Sequence, residues 1–557
     1  MSKAPRLIYL PLGGAGEIGM NCYVYGYGPE GRERLIVVDL GVTFPDMDTT
    51  PGVDLILPDV TWLAERADRI EGIFITHAHE DHIGALAHLW PRLKAPIHAR
   101  RFTSIIARLK MEDQGLSGTE IQTVGVGETV EAGPFSVQFM PVAHSIPESS
   151  ALIIDTPAGR IVHSGDFKLD PDPVVGEPWD PEARMGEGEP PVKVLVCDST
   201  NVFTTHAGRS ESTLGPAIRD LVESAPGLVA ATTFASNVAR LKTLADAGRA
   251  AGRSVCLMGR AMKKMVTAAQ EAGVLTDFPP IVPPEMAAEV PRQNLMLIVT
   301  GSQGERRAAT AQLSRGKYLG LELKEGDTFL FSSKTIPGNE RGVIRIMNNF
   351  SEMGVNVVDD QGGRYHVSGH ANRPDLERVH DTLKPQILIP NHGEHRHLRE
   401  HARLAESKGI ASDVVTNGMM VDLTGDLPEV VEYIETGRIY LDGNVLVGAM
   451  DGVIRDRLRL ALNGQVLVTL LMDEDDALLG DAWVELNGLA ERGRSGRSLS
   501  EEMEAELTEV LGRADRRLLT DDDKLDEAAR RIVRQIAMEE IGKKPEVTVV
   551  VSRLAVE

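Results

Sequence analysis

The sequence predicts an α/β protein of several domains: a sheet-rich first part, an inserted parallel α/β part, and a small α+β tail. Three observations predict it. At 557 residues the chain exceeds what one hydrophobic core organises, and about 150 residues per domain suggests three or four domains. Up to about residue 205, short apolar runs alternate with polar loops, and from residue 206 helical patterns alternate with buried apolar runs. Residues 465–557 turn acidic, with 13 Lys/Arg against 22 Asp/Glu, net −9.

The elements follow in order. Arg6–Leu10, Leu35–Asp39, Ile73–Thr76, Val137–Val142, Ala151–Asp155 and Val194–Cys197 read as strands, rich in β-branched residues and bounded by turn formers. Ile83–Trp90 reads as a helix after the third of them. Leu228–Thr233, Val255–Met258, Leu295–Thr300, Thr328–Phe331 and Val355–Val358 read as buried strands, with helices at Asn237–Ala251 and Arg341–Met353 between them. That βαβ rhythm predicts a parallel sheet covered by helices. One more strand at 386–390, a helix over His395–Lys408 and a Gly-punctuated β stretch from 416 to about 460 lead to the tail. The tail begins with Gln465–Met472, breaks at Asp473–Asp476, continues in helices near 500–513 and 522–541, and closes on Val547–Val551.

Hydrophobic residues at 42% and charged residues at 25% exclude a largely disordered or low-complexity chain. Aromatics at 4% argue against broad aromatic stacking surfaces for bases. No apolar run reaches the ~18–20 residues a membrane span needs, so no membrane partner is expected. Met1 to Gly14 lacks the apolar segment of a signal peptide. Cys22, Cys197 and Cys256 are odd in number and have no metal-type spacing, which fits a reducing cytoplasm. The net charge of −23 speaks globally against a polyanion. Residues 206–365 nevertheless carry 19 Lys/Arg against 16 Asp/Glu, net +3, so a polyanion would bind near the middle of the chain.

Gly14-Ala15-Gly16-Glu17-Ile18-Gly19 matches the dinucleotide fingerprint, with Asp39 about twenty residues on. A helix should follow, to aim its N-terminus at a pyrophosphate. Asn21-Cys22-Tyr23-Val24-Tyr25-Gly26-Tyr27-Gly28 follows instead, which reads as a strand, so the glycines read as a tight turn.

The chemistry concentrates in Thr76-His77-Ala78-His79-Glu80-Asp81-His82-Ile83-Gly84, at a strand-to-helix junction. Imidazole and carboxylate suit zinc or manganese. His77 and His79, two apart in extended chain, point the same way, and Asp81 and His82 at the turn can face a second ion. The plainer alternative, a polar loop of surface histidines, fits poorly when the chain has only 15 histidines. Further ligands stand at strand ends: His144 after Met140-Pro141-Val142, Asp166 in His163-Ser164-Gly165-Asp166, and His392 in Asn391-His392-Gly393. The expected allocation is His77, His79 and His144 on one divalent ion, Asp81, His82 and His392 on the other, and Asp166 bridging.

HxHxDH followed by a distant His, Asp and His resembles the metallo-β-lactamase fold, an αββα sandwich. The basic insert before the last histidine resembles the β-CASP subgroup, whose further motifs are matched by Asp198 in Cys197-Asp198-Ser199-Thr200, by His370 in His366-Val367-Ser368-Gly369-His370, and by His392. Length, acidic tail and Asn391-His392-Gly393-Glu394 resemble the bacterial ribonuclease J family across nearly the whole chain. The resemblance implies a metallo-β-lactamase domain in two parts, 1–205 and 366–450, around a β-CASP insert at 206–365. A linker at 451–464 and a C-terminal α+β domain at 465–557 follow.

It also implies a cytoplasmic 5′→3′ exoribonuclease with two divalent ions, zinc or manganese, that prefers a 5′-monophosphate and also cuts internally, in RNA decay and maturation. Asp81, Asp198 and His370 become catalytic candidates, with Asp198 and His370 on the leaving-group side, and Asp39 a steadying partner of the ligand loop. Phe234, Ala235 and Ser236, at a strand-to-helix turn, and His366, Val367, Ser368, Gly369 and His370 become substrate-binding candidates. Arg306 and Arg307 read as a solvated turn. The implied partners are RNA, a second copy through the C-terminal domain as a homodimer or tetramer, and other RNA-decay proteins. The alternatives are a β-CASP DNA nuclease, a small-ester metallohydrolase or a non-catalytic RNA-binding scaffold. The basic insert opposes the small ester and the complete ligand set opposes the scaffold, while RNA against DNA depends on 2′-hydroxyl contacts.

Overall fold

In the computed structural model, which describes residues 4–179, 189–360 and 362–554, two mixed sheets face each other and set the ligand loops along one edge. The first sheet runs Glu429–Tyr433, Met419–Asp422, Pro5–Gly13, Cys22–Pro29, Arg34–Val38, Ile70–Ile75, Ile97–Ala99, Ile121–Thr123. The second runs Ala411–Ser412, Ile387–Asn391, Val192–Asp198, Gly159–His163, Ser150–Thr156, Phe135–Pro141, Thr129–Ala132. Alternation in the sequence decides which side chains meet between them. In Phe135–Pro141 the odd positions Phe135, Val137 and Phe139 are buried, and they pack with Tyr9, Ile36, Phe74, Leu152 and Ile389. Each such side chain contributes about 1.5–3 kcal/mol when fully buried. Helices Arg373–Leu383 and His395–Ser407 cover the outer face of the second sheet through Leu376, Val379, Leu404 and Ala405.

The insert leaves the second sheet after Val192–Asp198 and returns as Ile387–Asn391, the neighbouring parallel strand. Its own five strands are all parallel, in the order Ser254–Met258, Leu295–Val299, Val229–Thr232, Thr328–Phe331, Asn356–Val358. Helices Val238–Ala250 and Glu340–Glu352 are among those that cover it.

The structure departs from the expectations at three places. The helix expected over Ile83–Trp90 is two pieces, Glu80–Ile83 and Leu86–Leu93, because the Ala85 N–H donates to Leu40 O and leaves the helical ladder. The β stretch after 416 ends at Gly448. The linker expected at 451–464 is a helix, Val453–Asn463; Gly452 and Gly464, with φ of 84° and 72°, are its end residues. The glycines after Pro11 are followed by the strand Cys22–Pro29, as the reading against a dinucleotide site expects.

The chain divides into two compact units, residues 1–43 with 57–438, and residues 44–56 with 439–557. The second contains the sheet Trp483–Asn487, Gln465–Met472, Glu546–Arg553, with helices Leu499–Gly512 and Asp522–Ile541 on one face. Among the described residues no helix is long and apolar enough to cross a membrane.

Candidate active site

Six strand ends converge on one cluster. Asp39 follows Arg34–Val38; His77, His79, Asp81 and His82 follow Ile70–Ile75; His144 follows Phe135–Pro141. Asp166 follows Gly159–His163, Asp198 ends Val192–Asp198, and His392 follows Ile387–Asn391. The ligand atoms of His77, His79, His144 and Asp166 lie within 4.8 Å of one another, and so do those of Asp81, His82, Asp166 and His392. Asp166 belongs to both groups, and to a third with Asp198, His370 and His392.

Asp39 aims the imidazoles. Its carboxylate accepts the Thr76 N–H at 2.8 Å, the Thr76 hydroxyl at 2.8 Å and His82 Nδ1 at 2.7 Å. With its proton given to Asp39, the Thr76 oxygen accepts from His77 Nδ1 at 3.0 Å. His144 Nδ1 donates to Gly369 O at 2.6 Å. All three rings therefore turn an Nε2 lone pair inward, the tautomer a metal requires. The backbones approach closely enough to exclude side chains. A Cβ on Gly41 would stand 1.6 Å from Asp81 O, and one on Gly369 2.8 Å from His144 Cε1.

The donor set fits divalent metal. His79 Nδ1 faces His77 Nε2 at 3.1 Å and His144 Nε2 at 3.0 Å, and one proton on it can satisfy only one of these two lone pairs. His392 Nε2 is buried without a hydrogen bond, its 3.3 Å approach to Asp81 Oδ2 being out of line. A cation at each convergence would supply what protons cannot.

The electrostatics divide the cluster. Burial lowers His77, and lowers His79 to about 4, so both stay neutral, as metal ligation would require. Burial also opposes protonation of His82, but Asp166, Asp81 and Asp39 outweigh it and raise the imidazole to about 10, so a cation at Nε2 would take the place of that proton. Burial would raise Asp166, yet His392, His82 and His370 hold it well below the usual carboxylate range.

Asp198 accepts His370 Nδ1 at 2.7 Å on one oxygen and Thr200 N–H and hydroxyl at 2.9 and 2.7 Å on the other. Against burial, Asp198 and Asp166 raise His370 above an ordinary imidazole. Ser368 Oγ accepts from Asn201 Nδ2 at 2.8 Å and His370 N–H at 3.1 Å, so this hydroxyl ties down the loop His366–His370. Val367 and Gly369 are buried, while His366, Ser368 and His370 are half-buried. Phe234, Ala235 and Ser236 are half-buried in the turn before Val238–Ala250, whose cap Asn237 accepts Arg240 N–H at 2.9 Å. Arg306 and Arg307 are exposed.

Two groups escaped the sequence reading. Asn21 is fully buried, with Nδ2 2.9 Å from Asp81 O and 3.0 Å from His82 Nε2. Its signal was its place directly after the glycine turn, which is itself strapped to the His392 loop by the pairing of Ala15–Gly16 with Gly393–Glu394. Asn201 holds Ser368, His370 and Asn372 from across the insertion point, and nothing but adjacency to Asp198 marked it.

Comparison with known proteins agrees with this geometry. The metallo-beta-lactamase superfamily profile matches residues 15–219, and that of the ribonuclease J beta-CASP domain matches residues 227–350. The profile of the Zn-dependent metallo-hydrolase RNA specificity domain matches 363–415, and that of the ribonuclease J C-terminal domain 452–554. Ribonuclease J of Sinorhizobium meliloti is 41% identical over 100% of this chain and 98% of its own. The chain belongs to the ribonuclease J family. Ribonuclease J of Mycolicibacterium smegmatis is 36% identical, covering 96% of this chain and 95% of its own, and that of Helicobacter pylori 31%, covering 96% and 78%. A solved protein of unknown function from Enterococcus faecalis shares the fold at TM-score 0.51 and 17% identity, covering 75% of this chain and 100% of that one. Family and site together make the chain a metal-dependent ribonuclease that binds RNA.

Proposed function

We propose that the chain is a two-metal 5′→3′ exoribonuclease that prefers 5′-monophosphorylated RNA and also cuts internally. One observation carries this reading: two four-ligand groups share Asp166 and abut the His370–Asp198 pair. His77, His79 and His144 would hold one divalent ion and Asp81, His82 and His392 the other, with Asp166 placed to reach both. Zinc or manganese there supplies Lewis-acid polarisation and a water acidic enough to attack at neutral pH. Asp39 fixes the ligand tautomers. Water attacks phosphorus and the P–O3′ bond breaks; His370, which keeps a proton against Asp198, gives it to the departing 3′ oxygen, so the remaining strand retains a 5′-monophosphate and each cut prepares the next substrate.

A monophosphate end needs an anion pocket at a fixed distance from the metals. Supporting it, His366 is lowered to about 3 by burial and then by Arg240, Lys334, Lys168 and Arg209, a group of cations converging on the loop. Arg240 is fully buried and donates to Glu211 at 2.5 Å, Ser332 O at 2.7 Å and Tyr365 O at 3.2 Å, which holds that loop to the insert. Digestion of matched 5′-triphosphate, 5′-monophosphate and circular RNAs, with products sized, tests the reading. His366→Ala should slow decay of monophosphorylated RNA several-fold more than cleavage of circular RNA, which has no end to seat. Equal slowing of both would remove the end-pocket assignment. We further infer a cytoplasmic role in RNA decay and maturation beside other decay proteins, and assembly as a homodimer or tetramer through the C-terminal α+β unit.

A further inference from the structure

We propose that Phe203 and Arg396 form a stacking platform for one nucleobase beside the cut. The proposal rests on the ribonuclease reading of the His/Asp cluster and adds to it a binding group that touches no reacting atom. Aromatic side chains are scarce in this protein and mostly buried. Among the described residues Phe44, Phe203, Tyr433 and Trp483 are the exposed ones. Phe44 and Trp483 lie in the second compact unit, and Tyr433 ends the edge strand Glu429–Tyr433. Phe203, 46% exposed, comes five residues after Asp198 of the cluster.

Its position is built. Asp198 and Thr200 lie just before it, and the Thr200 hydroxyl reaches His392 O at 3.2 Å. Phe203 is three residues beyond Thr200, at most about 10 Å, and five beyond Asp198, at most about 18 Å, so the ring stands within a few nucleotides of the His/Asp cluster. Turn hydrogen bonds from Val202 N–H to Ser199 O at 3.2 Å and from Thr204 N–H to Asn201 O at 2.9 Å pin the backbone on both sides. Val202 is fully buried, so the adjacent Phe203 is turned outward. The edge of its ring rests on His397, centroids 5.4 Å apart at 62°. The Arg396 guanidinium lies 4.9 Å from the ring centroid. Among the described residues Arg396 has no carboxylate partner, although Glu394 is exposed nearby in sequence. His397 Nδ1, buried beside them, has no hydrogen bond.

An exposed ring with an unpaired guanidinium is the pairing that single-stranded nucleic acid recruits. Any base can stack on the ring, and the cation meets a flanking phosphate. Recognition there is independent of sequence, as the proposed stepwise exonuclease needs.

The test uses full-length, metal-loaded enzyme and 5′-monophosphorylated single-stranded RNA. Phe203→Ala should raise KM about 5- to 150-fold, the range of one lost base stack, with a much smaller change in kcat. Phe203→Trp should restore KM. RNA carrying one abasic nucleotide, moved along the strand, should at one position raise the wild-type KM by a similar factor. At that position Phe203→Ala should cost nothing further, since ring and base are removed as a pair. Arg396→Gln should lower the salt slope of binding by about 0.7. The platform is overturned if Phe203→Ala leaves KM unchanged, or if its penalty is the same on intact and abasic RNA at every position. A wild-type enzyme that cleaves none of these RNAs would overturn the ribonuclease reading instead.

Discussion

Asp39 and His392 both take left-handed backbone conformations, φ 64° and 47°, that non-glycine residues rarely adopt. Each costs on the order of 1–3 kcal/mol, which the surrounding bonds must offset. At Asp39 the offset is three accepted hydrogen bonds from Thr76 and His82. Asp39→Asn keeps the shape but puts an amide N–H against one of those donors, so His82 or Thr76 must turn. Metal affinity should fall about 10- to 100-fold with the fold retained, measured by metal titration beside circular dichroism. Asp81→Ala and His79→Ala each remove a proposed ligand and little buried apolar area, so hydrolysis should drop to background while the thermal midpoint in chelator barely moves. A metal-loaded Asp81→Ala enzyme with near-normal turnover would sink the two-site assignment.

At the scale of elements, the helices Arg373–Leu383 and His395–Ser407 carry a titratable pair behind the site. His380 and His401 stack at 5.1 Å and 10°, their Nε2 atoms 3.0 Å apart, and His401 Nδ1 lies 2.9 Å from Ser199 Oγ. Burial lowers His380 to about 4 and His401 well below an ordinary imidazole. Unfolded histidine titrates near 6.5, so below that pH the unfolded chain binds protons that the folded chain refuses. Stability is therefore full above pH 6.5 and falls as pH drops towards 4, by up to about 1.4 kcal/mol per pH unit for each group. His380→Gln, which can still hydrogen-bond but does not titrate, should flatten the dependence of unfolding free energy on pH between 6.5 and 4.5. An unchanged slope in denaturant titrations would assign the acid sensitivity to other groups.

At the scale of the whole molecule, the second compact unit covers one face of its sheet and leaves the other open. Val466, Val468, Leu470 and Val547 face the helices. On the opposite face Trp483, Thr469 and Val550 stand side by side across the three strands. Trp483 and Val550 are exposed, and so is Leu471. An open row of this kind suits self-association across a two-fold axis. Trp483→Glu with Val550→Lys puts charge on that row without touching the buried face. The pair should lower the mass seen by light scattering and leave metal content unchanged. A mass equal to that of the unaltered protein would reject this face as the assembly surface.

Much of this was legible in one dimension because the relevant interactions are periodic or local. Strands such as Phe135–Pro141 and Ser254–Met258 announce themselves by alternation or by short apolar runs, and His77 to His82 sit together because one strand-to-helix turn presents them. The distant ligand candidates His144, Asp166 and His392 were readable as strand ends, and the reason to group them came from the resemblance to a known family. Helix Val453–Asn463 was lost to its own capping glycines, which look like a linker when no packing is visible. The hydrogen bonds of Asn21 and Asn201 cross 61 and 167 residues of chain, to His82 and Ser368. No local pattern encodes bonds of that span. The sequence by itself determined which side chains were available to bind metal and phosphate. Tertiary structure alone decided which nitrogen each imidazole turns inward and which lone pairs are left unmet, because these depend on hydrogen bonds between strands that meet only in the fold.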